Sequence, residues 1–366
     1  MAVYEKRLAE DLAKIREKVA AVGVLVEDAL KRGVQAVMTG DRHLANAVIL
    51  GDHNVNRAFA DIDSLCHKFL ALHLPTAGHL RLISSVLRMN GEMERIGDHA
   101  ATIAREALQM SEPPDQSFKA VLETISGDSQ NMLRRAVKAF NENDADAARE
   151  TMSLVGRVVT EFDRVFHDLA EATAEAPEKA RDLLYLSVVY SKLERISARA
   201  ENICEETVFA TTGETPERKK FNVLFLDERN NGQSRIAEAV GNKMAREVCS
   251  FSSAGRSAAS GMHPGLPEFM EAHGLVTNGT GPRAIDPKSE EVATYDVVVA
   301  LDGPASSYIS SQPFRTVFLD WDVGTLPEGT EKTETVNRYY DIYRELTVQI
   351  RNLVETLHGE EPWDER

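Results

Sequence analysis

The stretch "VLFLDERNNGQSRIAEA", residues 223–239, compresses a strand, a turn and the start of a helix into one run. Val223 to Leu226 are four bulky apolar residues in a row, the pattern of a strand buried on both faces. Asp227 to Gly232 form a polar turn, and a helix opens around Ser234. A Gly-bearing turn between a strand and a helix is the architecture that cradles phosphate on backbone N–H groups. Yet the first turn residue is Asp227, an anion itself, and no arginine stands where an anion clamp would.

Outward from this stretch, "FNVLFL" (221–226), "VCSFSSAG" (248–255), "YDVVVAL" (295–301) and "FRTVFLD" (314–320) are short β-branched or aromatic runs. Helical or Gly/Pro-bearing segments separate them, which predicts a parallel sheet flanked by helices. A last amphipathic helix is expected from about Glu334 to Leu357. Towards the N-terminus the grammar changes. "TTGETPERKK" (211–220) reads as a linker, and residues 4 to about 210 read as helix after helix, with Leu8, Leu12, Ile15, Val19, Val22, Val26 and Leu30 spaced by threes and fours. Breaks fall at "TGDR" near Asp41, "LPTAGH" (74–79), "SEPPDQS" (111–117), "NENDAD" (141–146) and "EAPEKA" (175–180).

The helical half repeats itself. "RMNGEMERIGDHAATIAREAL" (88–108) realigns with "VYSKLERISARAENICEETV" (189–208) at a shift of 100 residues, and Glu94 falls on Glu194. "VILGDHNVN" (48–56) aligns with "SLVGRVVTE" (153–161), Gly51 on Gly156. The fold class expected is therefore multidomain: an all-α bundle of two three-helix repeats, then an α/β domain. The expected divisions are 1–112 and 113–212 for the repeats, 213–220 for the linker and 221–360 for the α/β domain.

With 366 residues and a net charge of −16, the chain lacks the basic balance a nucleic-acid binder needs. No apolar run spans a bilayer, and the charged start "MAVYEKRLAEDLAKIREK" is not a secretory signal. Cys66, Cys204 and Cys249 are far apart and odd in number, which suits a reducing cytoplasm.

Carboxylates mark the first repeat. Glu94 and Asp98 lie four residues apart, on one helix face, as do Asp52 and Asn56 on the preceding helix. Two such oxygen pairs facing each other suit a hard cation; the plainer alternative is a solvated face with salt bridges to Arg57, Arg81 or Arg95. The run "VILGDHNVNRAFADIDSLCHKFLALHLPTAGHLRLISSVLRMNGEMERIGDHA", together with "ENICEETVFATTGE", resembles the PhoU family of phosphate-uptake regulators over residues 1–212. The resemblance implies an up-down bundle in the cytoplasm that acts as a negative regulator through two partners, a phosphate ABC transporter ATPase and a sensor histidine kinase. It implies no nucleic-acid partner, membrane association through partners only, and homo-oligomers. It further implies a divalent or iron ion at Asp52, Asn56, Glu94 and Asp98. The second repeat departs from that pattern, with Arg157, Glu161 and Ala198 at the matching positions and only Glu194 retained. Arg157 is expected to pair with Glu194 or Glu161 and replace a metal. His79, where the family has Asp, reads as a helix-entry residue.

The α/β half can be tested against phosphate chemistries. A nucleotide-binding P-loop would need a longer Gly loop with Lys and Ser/Thr. "FLDWDVGTL" (318–326) imitates a haloacid-dehalogenase motif, but its spacing is one residue too long and too little chain follows. The spacing that fits resembles the low-molecular-weight tyrosine phosphatases and their arsenate reductase relatives. "VLFL", Ser234, "AEA" (237–239), "SSAG" (252–255), "MHPGLPEFMEAHGL" (262–275), "YDVVVALD" (295–302) and "FLDWDV" (318–323) all fall in register. On that alignment Asp227 replaces the nucleophilic cysteine, Gln233 replaces the arginine, and Thr325-Leu326 replaces the general-acid Asp-Pro. The expectation is a vestigial phosphate loop of Asp227, Asn230, Asn231, Gln233 and Ser234, and a pseudoenzyme with no catalytic residue. The alternative is an active phosphatase or arsenate reductase with a regulatory helical fusion. Asp227 has two readings from sequence: it mimics the missing anion, or it merely caps the helix and turn.

Overall fold

The computed structural model describes residues 2–73, 75–215, 220–276, 281–287, 290–310, 312–313, 315–326 and 332–358. The chain divides into two compact units, Met1–Pro216 and Glu217–Arg366.

The first unit is helical throughout its described residues: α1 (Ala2–Thr39), α2 (Arg42–Leu72), α3 (Ala77–Gln109), α4 (Gln116–Glu142), α5 (Ala145–Met152), α6 (Val155–Glu175) and α7 (Ala180–Thr212). Its turns are set by local chemistry. Asp41 and Asp144 accept hydrogen bonds from Leu44 and Ala147 N–H groups and cap α2 and α5, while Asn143 closes α4 in the left-handed conformation. Each helix buries one stripe. On α1 it is Ile15, Val19, Val22, Val26 and Leu30; on α2 it is Val48, Val55, Ile62 and Phe69. These stripes join one apolar core with α3, α4, α6 and α7. The second copy differs in one respect that periodicity alone did not signal: its middle helix is divided, α5 ending at Met152 and α6 starting at Val155.

The long helices α3 and α7, equivalent in the two copies, run against each other. Arg88 Nε pairs with Glu206 at 2.6 Å, and Glu92 accepts from Arg199 at 3.0 Å and from Asn202 at 3.2 Å. Under the 100-residue shift the Glu92–Arg199 pair maps onto His99 and Lys192, so the acid is lost on that side. His99 instead faces burial and the cations Lys192, Arg199 and Arg195, which together push its pKa from 6.5 down to about 4.

The second unit is a four-stranded parallel sheet in the order β2-β1-β3-β4. Its elements are β1 (Phe221–Asp227), α8 (Gln233–Ala245), β2 (Cys249–Gly255), α9 (Leu266–Ala272), β3 (Val297–Ala300), β4 (Val317–Asp320) and α10 (Lys332–His358). The apolar run of β1 serves both faces. Val223 and Phe225 pack with α8, α9 and α10, whereas Leu224 and Leu226 pack with Ile285, Ala305 and Tyr308. Gly241 of α8 lies flat on Phe251, where a Cβ would come within 2.5 Å of the ring. Because β1 has β2 on one side and β3 on the other, the chain changes direction at its C-terminal end. That is where open α/β sheets leave a ligand crevice.

Two stability changes follow. The folded state holds a neutral His99, so its contribution is present above pH 6.5 and is lost as pH falls towards 4. His99→Gln should therefore lose less stability than wild type between pH 7 and pH 4 in urea titrations, and parallel losses would contradict the account. Gly241→Ala should cost about 1–3 kcal/mol by overpacking Phe251, read from the same titrations.

Candidate functional site

Asp227 ends β1, pairs with Gly255 of β2 and is 2% exposed. The turn after it folds back around its carboxylate. Oδ1 accepts the N–H of Arg229 at 3.2 Å and that of Asn230; Oδ2 accepts the N–H of Ser234 at 2.9 Å. Burial raises the Asp227 pKa above the ordinary carboxylate value and Asp302 adds to the rise, while the Ser234 and Asn230 hydrogen bonds oppose it. Asn230 takes a positive φ of 50° and is fully buried. It donates through Nδ2 to Ser234 Oγ at 2.9 Å and Ser253 Oγ at 2.8 Å, and accepts the Arg283 N–H at 2.8 Å. Beneath it, Ser253 donates to Glu238 at 2.6 Å and Arg235 pairs with Glu238 at 3.1 Å, both charges buried. Gly255 is required here, since a Cβ would lie 2.6 Å from the Asn230 nitrogen. The turn thus closes on a carboxylate that accepts three of its N–H groups.

Its remaining groups are turned to other uses. Gln233 donates to Gly324 O at 2.8 Å, and Leu326 lies over Gly232, where a Cβ would meet its Cδ1 at 2.4 Å. Arg338 holds the same covering segment by bonding Val323 O at 2.8 Å and Thr325 O at 3.3 Å. Glu228 N–H bonds Asp302 at 3.2 Å. Asn231 lines an outer groove of about 510 Å³ with Arg229 and residues 257–262. Cys249 lies at the far end of β2, six residues from Gly255 and so about 20 Å from the turn at roughly 3.3 Å per residue. Burial pushes its thiol up to about 12. The three cysteines are free and buried.

In the first unit, the structure brings Asp52, Asn56, Glu94 and Asp98 together. Gly97 is the reason: α2 comes so close that a Cβ there would stand 2.9 Å from Val55 Cγ1 and 3.7 Å from Asp52 Oδ1. Asn56 Nδ2 reaches Asp52 Oδ2 at 3.4 Å, and Asp52 Oδ1 and Asn56 Oδ1 are buried without a hydrogen-bond partner. Burial and then Asp98 raise the pKa of both Asp52 and Glu94, with Arg105 opposing at Asp52 and Arg95 at Glu94. The donors are all oxygen, as a hard cation requires, but among the described residues no three His, Cys, Asp or Glu side chains gather closely enough to hold a metal ion. No step below is routed through a metal.

Comparison with known proteins places both halves. The PhoU domain model matches residues 19–107 and 122–207, one match per repeat. The phosphate-specific transport system accessory protein PhoU of Serratia marcescens is 31% identical over 204 residues, covering 56% of this chain and 84% of the relative. The PhoU homolog of Pseudomonas aeruginosa is 31% identical over 234 residues, covering 63% and 91%. The chain belongs to the PhoU family. A crystal structure of PhoU from P. aeruginosa superposes with a TM-score of 0.54 at 31% identity, over 56% of this chain and 99% of that one. The low molecular weight phosphotyrosine protein phosphatase model matches residues 222–361, so this PhoU-family chain carries a phosphatase-like domain after its bundle. Among the described residues no helix is long and apolar enough to cross a membrane.

The second PhoU repeat corrects one expectation. Arg157 pairs neither with Glu194 nor with Glu161; its Nη2 bonds Asp128 of α4 at 2.5 Å. The break at Ser153–Leu154 starts α6 one residue before Gly156, and from there Arg157 reaches Asp128 of α4. Glu161 pairs with Arg164 at 3.5 Å, and Glu194 is buried on α7. His79 sits in the first turn of α3, its Nδ1 3.1 Å from Thr76 Oγ1, as a helix-entry residue would. Sequence reading missed Asp128 and Asp302, and it placed Leu326 at the general-acid position without its contact over Gly232. Asp302 could have been found, since an acid following a central strand lies beside the turn after its neighbour.

In chelator-treated protein, Asp98→Asn should raise stability by about 0.5 kcal/mol by removing like-charge repulsion with Glu94 and Asp52. Denaturant titration at pH 7 checks it, and a loss would contradict the repulsive cluster.

Proposed function

We propose that this protein is an accessory regulator of a phosphate transport system, acting through protein contacts of its PhoU unit, and that its phosphatase-like domain is catalytically silent. The regulatory part is supported by the match of both repeats to PhoU relatives over most of their length. The observation that carries the silent-domain reading is Asp227. Phosphoryl transfer on this loop needs a nucleophile, free N–H donors for the phosphoryl oxygens, a cation to clamp them and a proton for the leaving group.

Here the residue at the nucleophile position is itself buried and accepts three of the turn's N–H groups. The clamp position is Gln233, tied to Gly324, and Leu326 covers the mouth. A dianion brought to this ring would also meet the Asp227 charge at low dielectric. Removing one such part costs on the order of 10²–10⁴ in rate in well-studied enzymes, and three are replaced together.

Purified full-length protein should retain the transporter's ATPase subunit and the phosphate-responsive sensor kinase in pull-downs, with retention changing between high and low phosphate. It should turn over neither p-nitrophenyl phosphate nor arsenate above the rate in buffer. Failure to retain either partner, together with turnover abolished by Asp227→Ala, would overturn the reading.

A further inference from the structure

The donors around Asp227 form an arrangement that neither turn capping nor helix capping requires in full. A side chain capping a helix satisfies one or two of the exposed N–H groups of the first turn. Asp227 collects the N–H groups of Arg229, Asn230 and Ser234, at the N-terminal end of the 13-residue helix α8. Every one of these is a donor. Neither oxygen has an acceptor among the contacts described, so the ring is built for an all-acceptor group carrying negative charge. The helix dipole points its positive end at the same place.

The ring is also held in that shape from outside. Asn230 keeps its positive φ by bonding Ser234, Ser253 and the Arg283 N–H, and Gly255 leaves room for it. The scaffold around the ring therefore still builds an oxyanion receptacle, while the residue at its centre has changed.

We infer that the Asp227 carboxylate is a built-in oxyanion: it occupies the loop as a tetrahedral phosphate or sulfate would, and holds the domain permanently in its anion-bound shape. Removing the side chain unmasks a latent site for an inorganic oxyanion such as phosphate, sulfate or arsenate. The latent site is weak, in the millimolar range, because Gln233 supplies no guanidinium. This inference rests on the reading that the domain is not catalytic. Its consequence for the molecule is that free phosphate does not switch the phosphatase-like domain, so phosphate responsiveness resides in the PhoU unit or its partners.

The test is the melting temperature of the full-length protein in phosphate-free buffer and with rising inorganic phosphate or sulfate, with ionic strength held constant by chloride. Wild type is compared with Asp227→Ala and with Asp227→Asn. An anion that binds only the folded state raises Tm in proportion to the logarithm of its concentration. Asp227→Ala should melt below wild type without oxyanion and recover with it, with an apparent affinity at least tenfold tighter than any wild-type response. The wild-type curve accounts for phosphate bound elsewhere on the molecule. Asp227→Asn keeps the site filled, and should melt below wild type without recovering.

If Asp227→Ala does not fold in phosphate-free buffer, refolding yield with and without sulfate gives the same reading, and Asp227→Ser leaves similar room. Folded Asp227→Ala and Asp227→Ser with no gain over wild type would overturn the inference and leave Asp227 a local cap. Turnover of p-nitrophenyl phosphate by wild type would instead remove the functional reading beneath it.

Discussion

A carboxylate taken out of water at the end of a central strand must be given donors or lose its charge. The organisation of the second unit follows from how Asp227 meets that condition. The turn contracts around it, Asn230 adopts a left-handed conformation to bring its own N–H inward, and α8 starts where the Ser234 N–H can reach. Gly255 and Ser253 on the neighbouring strand, and Glu238 and Arg235 on α8, complete the support. With the ring satisfied from within, Gln233 and Leu326 are free to fasten and cover it. A fold that places ligands at this end of the sheet thus carries its own anion there.

The first unit meets a related problem in two ways. In the first repeat, Asp52, Glu94 and Asp98 crowd together because Gly97 lets α2 and α3 approach, and burial and like-charge repulsion raise the proton affinity of Asp52 and Glu94. In the second repeat a guanidinium replaces one acid, and Arg157 closes an ion pair with Asp128. The α3–α7 seam is asymmetric in the same manner: Glu92 balances Arg199 on one side, while His99 faces Lys192 uncharged on the other. Duplication supplied the architecture, and the two copies have since diverged in charge.

The class of each half was legible in the chain. The 100-residue self-match of the Glu-Arg-Ile helices predicts paired helical units, and the apolar run 223–226 predicts a strand buried on both faces; helices and sheet follow these patterns. The residues of the loop were legible too, because strand, turn and helix are adjacent in sequence. What could not be read was which of two uses Asp227 serves, since capping a turn and filling an anion site use the same residue at the same position. The number and direction of the donors bear on that choice, and those depend on Asn230 taking a positive φ. The Arg157 partner was misread for a geometric reason: spacing assumed an unbroken middle helix, and the interruption at Ser153–Leu154 redirects the side chain towards α4. Leu326 over Gly232 is a contact between segments far apart in sequence, on which local periodicity is silent.

The most direct test of a loop closed by its own carboxylate is a crystal structure of the full-length protein grown from concentrated phosphate. The account predicts that Asp227 remains inside the ring, accepting the N–H groups of Arg229, Asn230 and Ser234, and that no phosphate stands there. A phosphate bound on those N–H groups, with the Asp227 side chain turned out of the ring, would contradict it.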